Sequence, residues 1–69
     1  MQVIEIVKKS NRFSWVCVLF IDDIADISSV ESVDGLPKNV ALAPGSLVYD
    51  SSLTVAVLNS SSEWVITNE

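Results

Sequence analysis

Seven consecutive apolar residues, Trp15 to Ile21, constrain this chain more than any other feature. A run of seven cannot cross a bilayer as a helix, which needs about 20 residues. It does suit a buried strand. With Phe13 as its start, the strand Phe13–Ile21 carries Phe13, Trp15, Cys17, Leu19 and Ile21 on one face. Ser14, Val16, Val18 and Phe20 lie on the other, because successive strand residues alternate. A strand apolar on both faces has to be covered on both. The first cover is the rest of the domain. The second is either another subunit or the long connection that follows, folded back over the strand. Trp15, Val16, Val18 and Phe20 are the candidate interface residues.

The remaining sequence also favours strands. Val, Ile and Leu fill 23 positions and Val alone fills eleven, a β-branched enrichment that fits pleated surfaces. Gln2–Lys8 reads as a first strand, and Lys9 to Arg12 as a hairpin connection. Its alternation is imperfect, with Val3 and the stem of Glu5 on one face and Ile4, Ile6 and Lys8 on the other.

Residues 22–46 form an acidic connection. Asp22, Asp23, Asp26, Glu31 and Asp34 have no basic residue among them. Ile24, Ile27 and Val30 recur every third position, which fits one short helix or 3₁₀ turn. Asp34-Gly35, Pro37 and Pro44-Gly45 read as turns. The apolar residues Leu36, Val40, Ala41 and Leu42 imply a segment that wraps the domain.

Three further strands are expected at Ser46–Tyr49, Leu53–Leu58 and Trp64–Thr67, with short polar connections. Short connections make an antiparallel meander, with Leu53, Val55, Val57, Trp64 and Ile66 expected in its core. The expected fold is therefore a single all-β domain over 1–69: a small antiparallel structure. Its N-terminal hairpin (1–21) and C-terminal three-stranded meander (46–69) are joined by a long wrapping loop (22–46).

Several function classes lose support on composition. Nine Asp or Glu against four Lys or Arg give a net charge of −5, which argues against a nucleic-acid partner. The N-terminal apolar stretch, broken by Glu5, Lys8 and Lys9, does not read as a secretory signal, and no membrane association is expected. There is no His, the commonest general base and metal ligand. The single Cys allows no internal disulfide and no thiolate cluster. A domain this small buries only about 60% of its unfolded surface. With no disulfide or metal to help, self-association is the remaining support, and a homo-oligomer is expected.

No chemical motif displaces this structural reading. The Asp22-Asp23 pair with Asp26 lacks the alternating oxygens and central Gly of an EF-hand, and reads as a solvated acidic turn. Cys17 has apolar neighbours and reads as a buried structural thiol. The Ser residues lack a nucleophile elbow and an activating base. Gly35 and Gly45, the only glycines, make no phosphate-cradling loop. No catalytic residue, cofactor or metal is assigned. The basic cluster Lys8, Lys9 and Arg12, set against the acidic residues 22–34, keeps a hairpin tip soluble or orients one subunit against another.

One resemblance goes further. It runs through Ala43-Pro44-Gly45-Ser46-Leu47-Val48-Tyr49, then Val55-Ala56-Val57-Leu58-Asn59, then Ser62-Glu63-Trp64-Val65. Leu36-Pro37 lies upstream, after Asp34-Gly35. This pattern resembles small virion-associated proteins of tailed bacteriophages, including head-fibre-like and capsid-accessory proteins. Ser62 stands where Gly is frequent before Glu-Trp, and Ala56 where an aromatic often precedes the Leu-Asn strand end. The N-terminal hairpin lies outside the resemblance. In physical terms, Gly45 permits an unusual backbone angle, Asn59 tolerates left-handed geometry and Trp64 anchors the last strand.

The resemblance implies a non-enzymatic structural protein of a virion, self-associated and docked on a capsid or other virion protein. The alternative is a small acidic regulatory or inhibitor protein that binds a basic host protein in the bacterial cytoplasm.

Overall fold

The computed structural model describes residues 1–29 and 33–67. They form one sheet of six strands: β1 (Gln2–Asn11), β2 (Ser14–Phe20), β3 (Ala41–Leu42), β4 (Leu47–Tyr49), β5 (Val55–Leu58) and β6 (Trp64–Ile66). A 3₁₀ segment covers Ile24–Ser29, where the three-residue apolar spacing places it. Val30 and Glu31 lie outside the described residues. The all-β class, the N-terminal hairpin and the C-terminal meander are all present.

The two halves join in parallel. The strand order is β1-β2-β4-β5-β6, and β2 pairs with β4 in parallel, Val18 opposite Leu47 and Phe20 opposite Tyr49. The sheet is therefore mixed, with antiparallel pairs on either side of that junction. Parallel neighbours need a crossover of about a dozen residues or more, and the twenty residues between Phe20 and Ala41 supply it.

The short strand β3 is also parallel to β2, with Ser14 opposite Ala41 and Trp15 opposite Leu42. Between β3 and β4 the chain leaves the ladder at Ala43-Pro44-Gly45-Ser46. Gly45 turns there with φ +97°, a left-handed angle that a side chain would resist. Ser46 repairs the gap. Its buried hydroxyl accepts the N–H of Cys17 at 3.2 Å and donates to the carbonyl of Ala43 at 2.7 Å.

The core lies on one side of this sheet. Cys17, Leu19, Ile21, Ile24, Val48 and Ala56 are its buried residues. Met1, Val3, Trp15, Ile27, Val33, Leu36, Leu42 and Trp64 pack around them. The connection after β2 wraps this side, as its apolar residues imply.

Asp50 ties the connection to the sheet. Its carboxylate accepts the N–H of Ile24 at 3.2 Å, of Ser52 at 2.9 Å and of Thr54 at 3.0 Å. Asn11 and Asn59 close their own turns in the same way. The Asn11 side-chain oxygen accepts from Phe13 and Ser14, and that of Asn59 from Ser61 and Glu63.

Several expectations need correction, the wholly antiparallel pairing first among them. The phase of β5 is reversed: Val48, Ala56 and Leu58 are buried, whereas Val55 and Val57 occupy the opposite face; Trp64 packs on the core as expected, and Ile66, opposite Ala56 on the core face, is 42% exposed. Leu53 precedes its strand, sits in the turn with φ +61° and is 70% exposed. Phe13 belongs to the hairpin turn and is 58% exposed. The left-handed residue in the last turn is Ser62, φ +62°, while Asn59 contributes its side-chain oxygen instead.

Strand β1 follows neither face assignment. Gln2, Val3, Glu5, Ile6, Lys8 and Asn11 have partners on β2, and the register shifts between Val3 and Glu5, Ile6 and Lys8, and Lys8 and Asn11. The strand consequently runs in triplets. Gln2, Glu5, Lys8 and Asn11 fall opposite the even-numbered residues of β2, while Val3 and Ile6 fall opposite Leu19 and Cys17. Repeated bulges of this kind increase local twist, and they turn the apparent misalternation of the sequence into a regular pattern.

Candidate functional site

The residue-by-residue register defines a second face, directly behind the core. Cα partners across a ladder present their side chains to the same side of a sheet. One row therefore runs Val18, Leu47, Val57, Val65 across four strands. A second runs Phe20, Tyr49, Val55. Val16 extends the patch along β2. None of these eight residues belongs to the core cluster or packs against it.

Polar residues border this patch along β1. Gln2 stands opposite Phe20, Glu5 opposite Val18 and Lys8 opposite Val16. The far border is β6, the last strand in the sheet order, where Val65 is 47% exposed. Within the patch, the rings of Phe20 and Tyr49 meet edge to face with centroids 5.4 Å apart, a favourable arrangement that fixes both.

The candidate interface residues divide between the two faces. Val16, Val18 and Phe20 lie together on the outer face, half-buried by their neighbours in the sheet. Trp15 lies on the core side. It packs against the core cluster, and the Lys9 ammonium sits 4.6 Å from its ring centroid in a cation–π contact. Among the described residues of the connection, Ile24, Ile27, Val33, Leu36 and Leu42 pack on the Cys17–Leu19 side.

Leu47, Tyr49, Val55, Val57 and Val65 complete the patch, although the sequence reading did not place them there. Their signal was present in the apolar residues on both faces of the C-terminal strands. The burial of small Ala56 opposite Val48 decides which face is the core.

Charge is distributed unevenly along the strands. At one end, Asp22, Asp23, Asp26 and Asp34 line a cleft of about 400 Å³ together with Met1, Gln2, Phe20 and Ile21. At the other end, Lys8, Lys9 and Arg12 cluster at the β1–β2 hairpin. Among the described residues, no group of three or more His, Cys, Asp or Glu is placed to hold a metal ion.

Cys17 is fully buried, and burial pushes its thiol pKa up. Asp50 moves the other way. Burial raises its pKa, but the N–H groups of Ile24, Thr54 and Ser52 favour the carboxylate more strongly and hold the pKa below the ordinary value. Both groups serve the fold rather than the outer face.

Comparison with protein-family models, curated proteins and solved structures finds no match. No helix among the described residues is long and apolar enough to cross a membrane.

Proposed function

We propose that this chain is a non-enzymatic structural protein of a phage particle, associating with copies of itself and docking on a capsid or other virion surface. The outer apolar face carries this reading. The largest contiguous apolar patch of a small domain, even at a few hundred Å², is often a functional contact surface. The sequence resemblance to virion-associated proteins supplies the setting. It covers the meander that builds most of the face, from Leu47 through Val57 to Val65.

The architecture suits a building block. Tight side-chain-capped turns hold the strands, leaving one apolar face for a neighbour. Mass spectrometry of purified particles tests the reading. The chain is expected at a fixed, stoichiometric copy number. Its absence from particles, while it accumulates free in the infected cell, would overturn it.

The acidic end favours a second reading. Four aspartates around one cleft would suit a small acidic regulator that holds a basic host protein. A salt-sensitive complex with a basic partner in pull-downs, with none of the chain in particles, would establish that alternative.

A further inference from the structure

We infer that the outer sheet face is closed by a second copy of this chain, stacked face to face with its strands antiparallel to the first. This rests on the self-association reading above and adds the partner's orientation.

Size is the first argument. Eight residues, each covering about 4.8 Å across the strands and about 7 Å along them, give a face of roughly 270 Å². A stable interface buries about 800 Å² on each partner. The apolar rows therefore supply about a third of what is needed, and the strand ends must contribute the rest.

The ends select the orientation. Phe20, an outer-face residue, lines the same cleft as Asp22 and Asp26, so the acidic cluster adjoins the patch. Lys8 stands on the outer face near the opposite end, opposite Val16, and Arg12 follows in the hairpin turn. Strands stacked in the same sense would set acidic end against acidic end and basic against basic. Strands stacked in the opposite sense bring Lys8 and Arg12 of each copy to the aspartates of the other, twice over. Such complementarity fixes register and suppresses alternative pairings. It also answers how a chain of net charge −5 can meet itself.

Sedimentation of the full chain, with charge reversals, tests this. The wild type is expected to be a dimer, and Val57→Asp, in the middle of the apolar row, a monomer. At low salt, Lys8→Glu and Asp22→Lys alone are each expected to weaken the dimer about tenfold. Together in one chain they should restore it to within about threefold, because each end then meets its reversed partner. Both substituted side chains are exposed, so folding is expected to survive, with circular dichroism as the check.

Carbodiimide coupling of a mixture of ¹⁴N and ¹⁵N chains provides the second readout. Mixed-isotope links from Lys8 to Asp22 or Asp26 are expected. A dimer that ignores Val57→Asp, or whose single reversals are silent or not rescued by their combination, would overturn the antiparallel stack and leave self-association standing. A wild-type monomer at micromolar concentration would overturn both.

Discussion

The hydroxyl of Ser46 accepts the backbone N–H of Cys17 at 3.2 Å, bridging 29 positions of sequence inside a fully buried site. This bond stands where β3 and β4 leave the edge of β2, and it keeps the parallel junction continuous. Among the described residues, no buried side-chain polar atom lacks a partner. Ser46→Ala orphans the Cys17 N–H, and a buried donor without an acceptor costs about 1–3 kcal/mol. Urea denaturation should show that loss as a lower midpoint with an unchanged slope. A midpoint equal to wild type would show that the hydroxyl does not support the junction.

Trp15 and Phe20 are expected to respond differently, because they face opposite sides of one strand. Trp15→Ala removes an aromatic packed on the core and should cost about 3–5 kcal/mol of stability, the range for truncating buried large aromatics, with the low end fitting its partial exposure. Phe20→Asp should instead change the mass measured by light scattering, converting the assembly to monomers. If Phe20→Asp leaves the mass unaltered, the outer face is not shared.

Acid should loosen the anchor between Asp50 and Ile24. The folded pKa of Asp50 lies below its unfolded value of about 3.9. A depressed carboxylate contributes stability that is fully present above the unfolded pKa and disappears as pH falls through the folded one. Thermal melts of wild type and Asp50→Asn between pH 7 and pH 2 check the sign. The variant should be less stable at pH 7, and the gap should narrow below about pH 4. A gap that stays constant across the range would remove Asp50 from the acid response.

Ser62 occupies a left-handed angle, φ +62°, which costs a side-chain-bearing residue roughly 1–2 kcal/mol. Glycine avoids that cost but loses more freedom on folding. The net expectation for Ser62→Gly is a gain of about 0.5–1 kcal/mol, seen as a higher denaturation midpoint.

Cys17 supplies a probe of global opening. Its thiol is fully buried and free, with its pKa raised by burial. A maleimide reagent should modify the chain only as fast as the fold opens, and the rate should rise across the denaturant transition. Prompt labelling under native conditions would contradict the packing of β2.

Local pattern determined much of this protein. Runs of Val, Ile and Leu set the strands, and the polar connections after β1 and β5 hold Asn11 and Asn59, whose side chains cap them. The three-residue spacing of Ile24 and Ile27 placed the 3₁₀ segment. The two-faced character of β2 was legible because alternation is a property of one strand. Three features were decided only in the tertiary structure. The parallel pairing of β2 with β4 depends on where a long connection returns, which no local pattern encodes. The phase of β5 depends on Ala56 meeting Val48 across the sheet. The apolar outer face depends on which side of β2 receives Ile24, Ile27, Leu36 and Leu42, which leaves Val16, Val18 and Phe20 half-buried on the other. Each is a relation between distant segments, and the free energy that selects among such relations comes from burial after the strands have met.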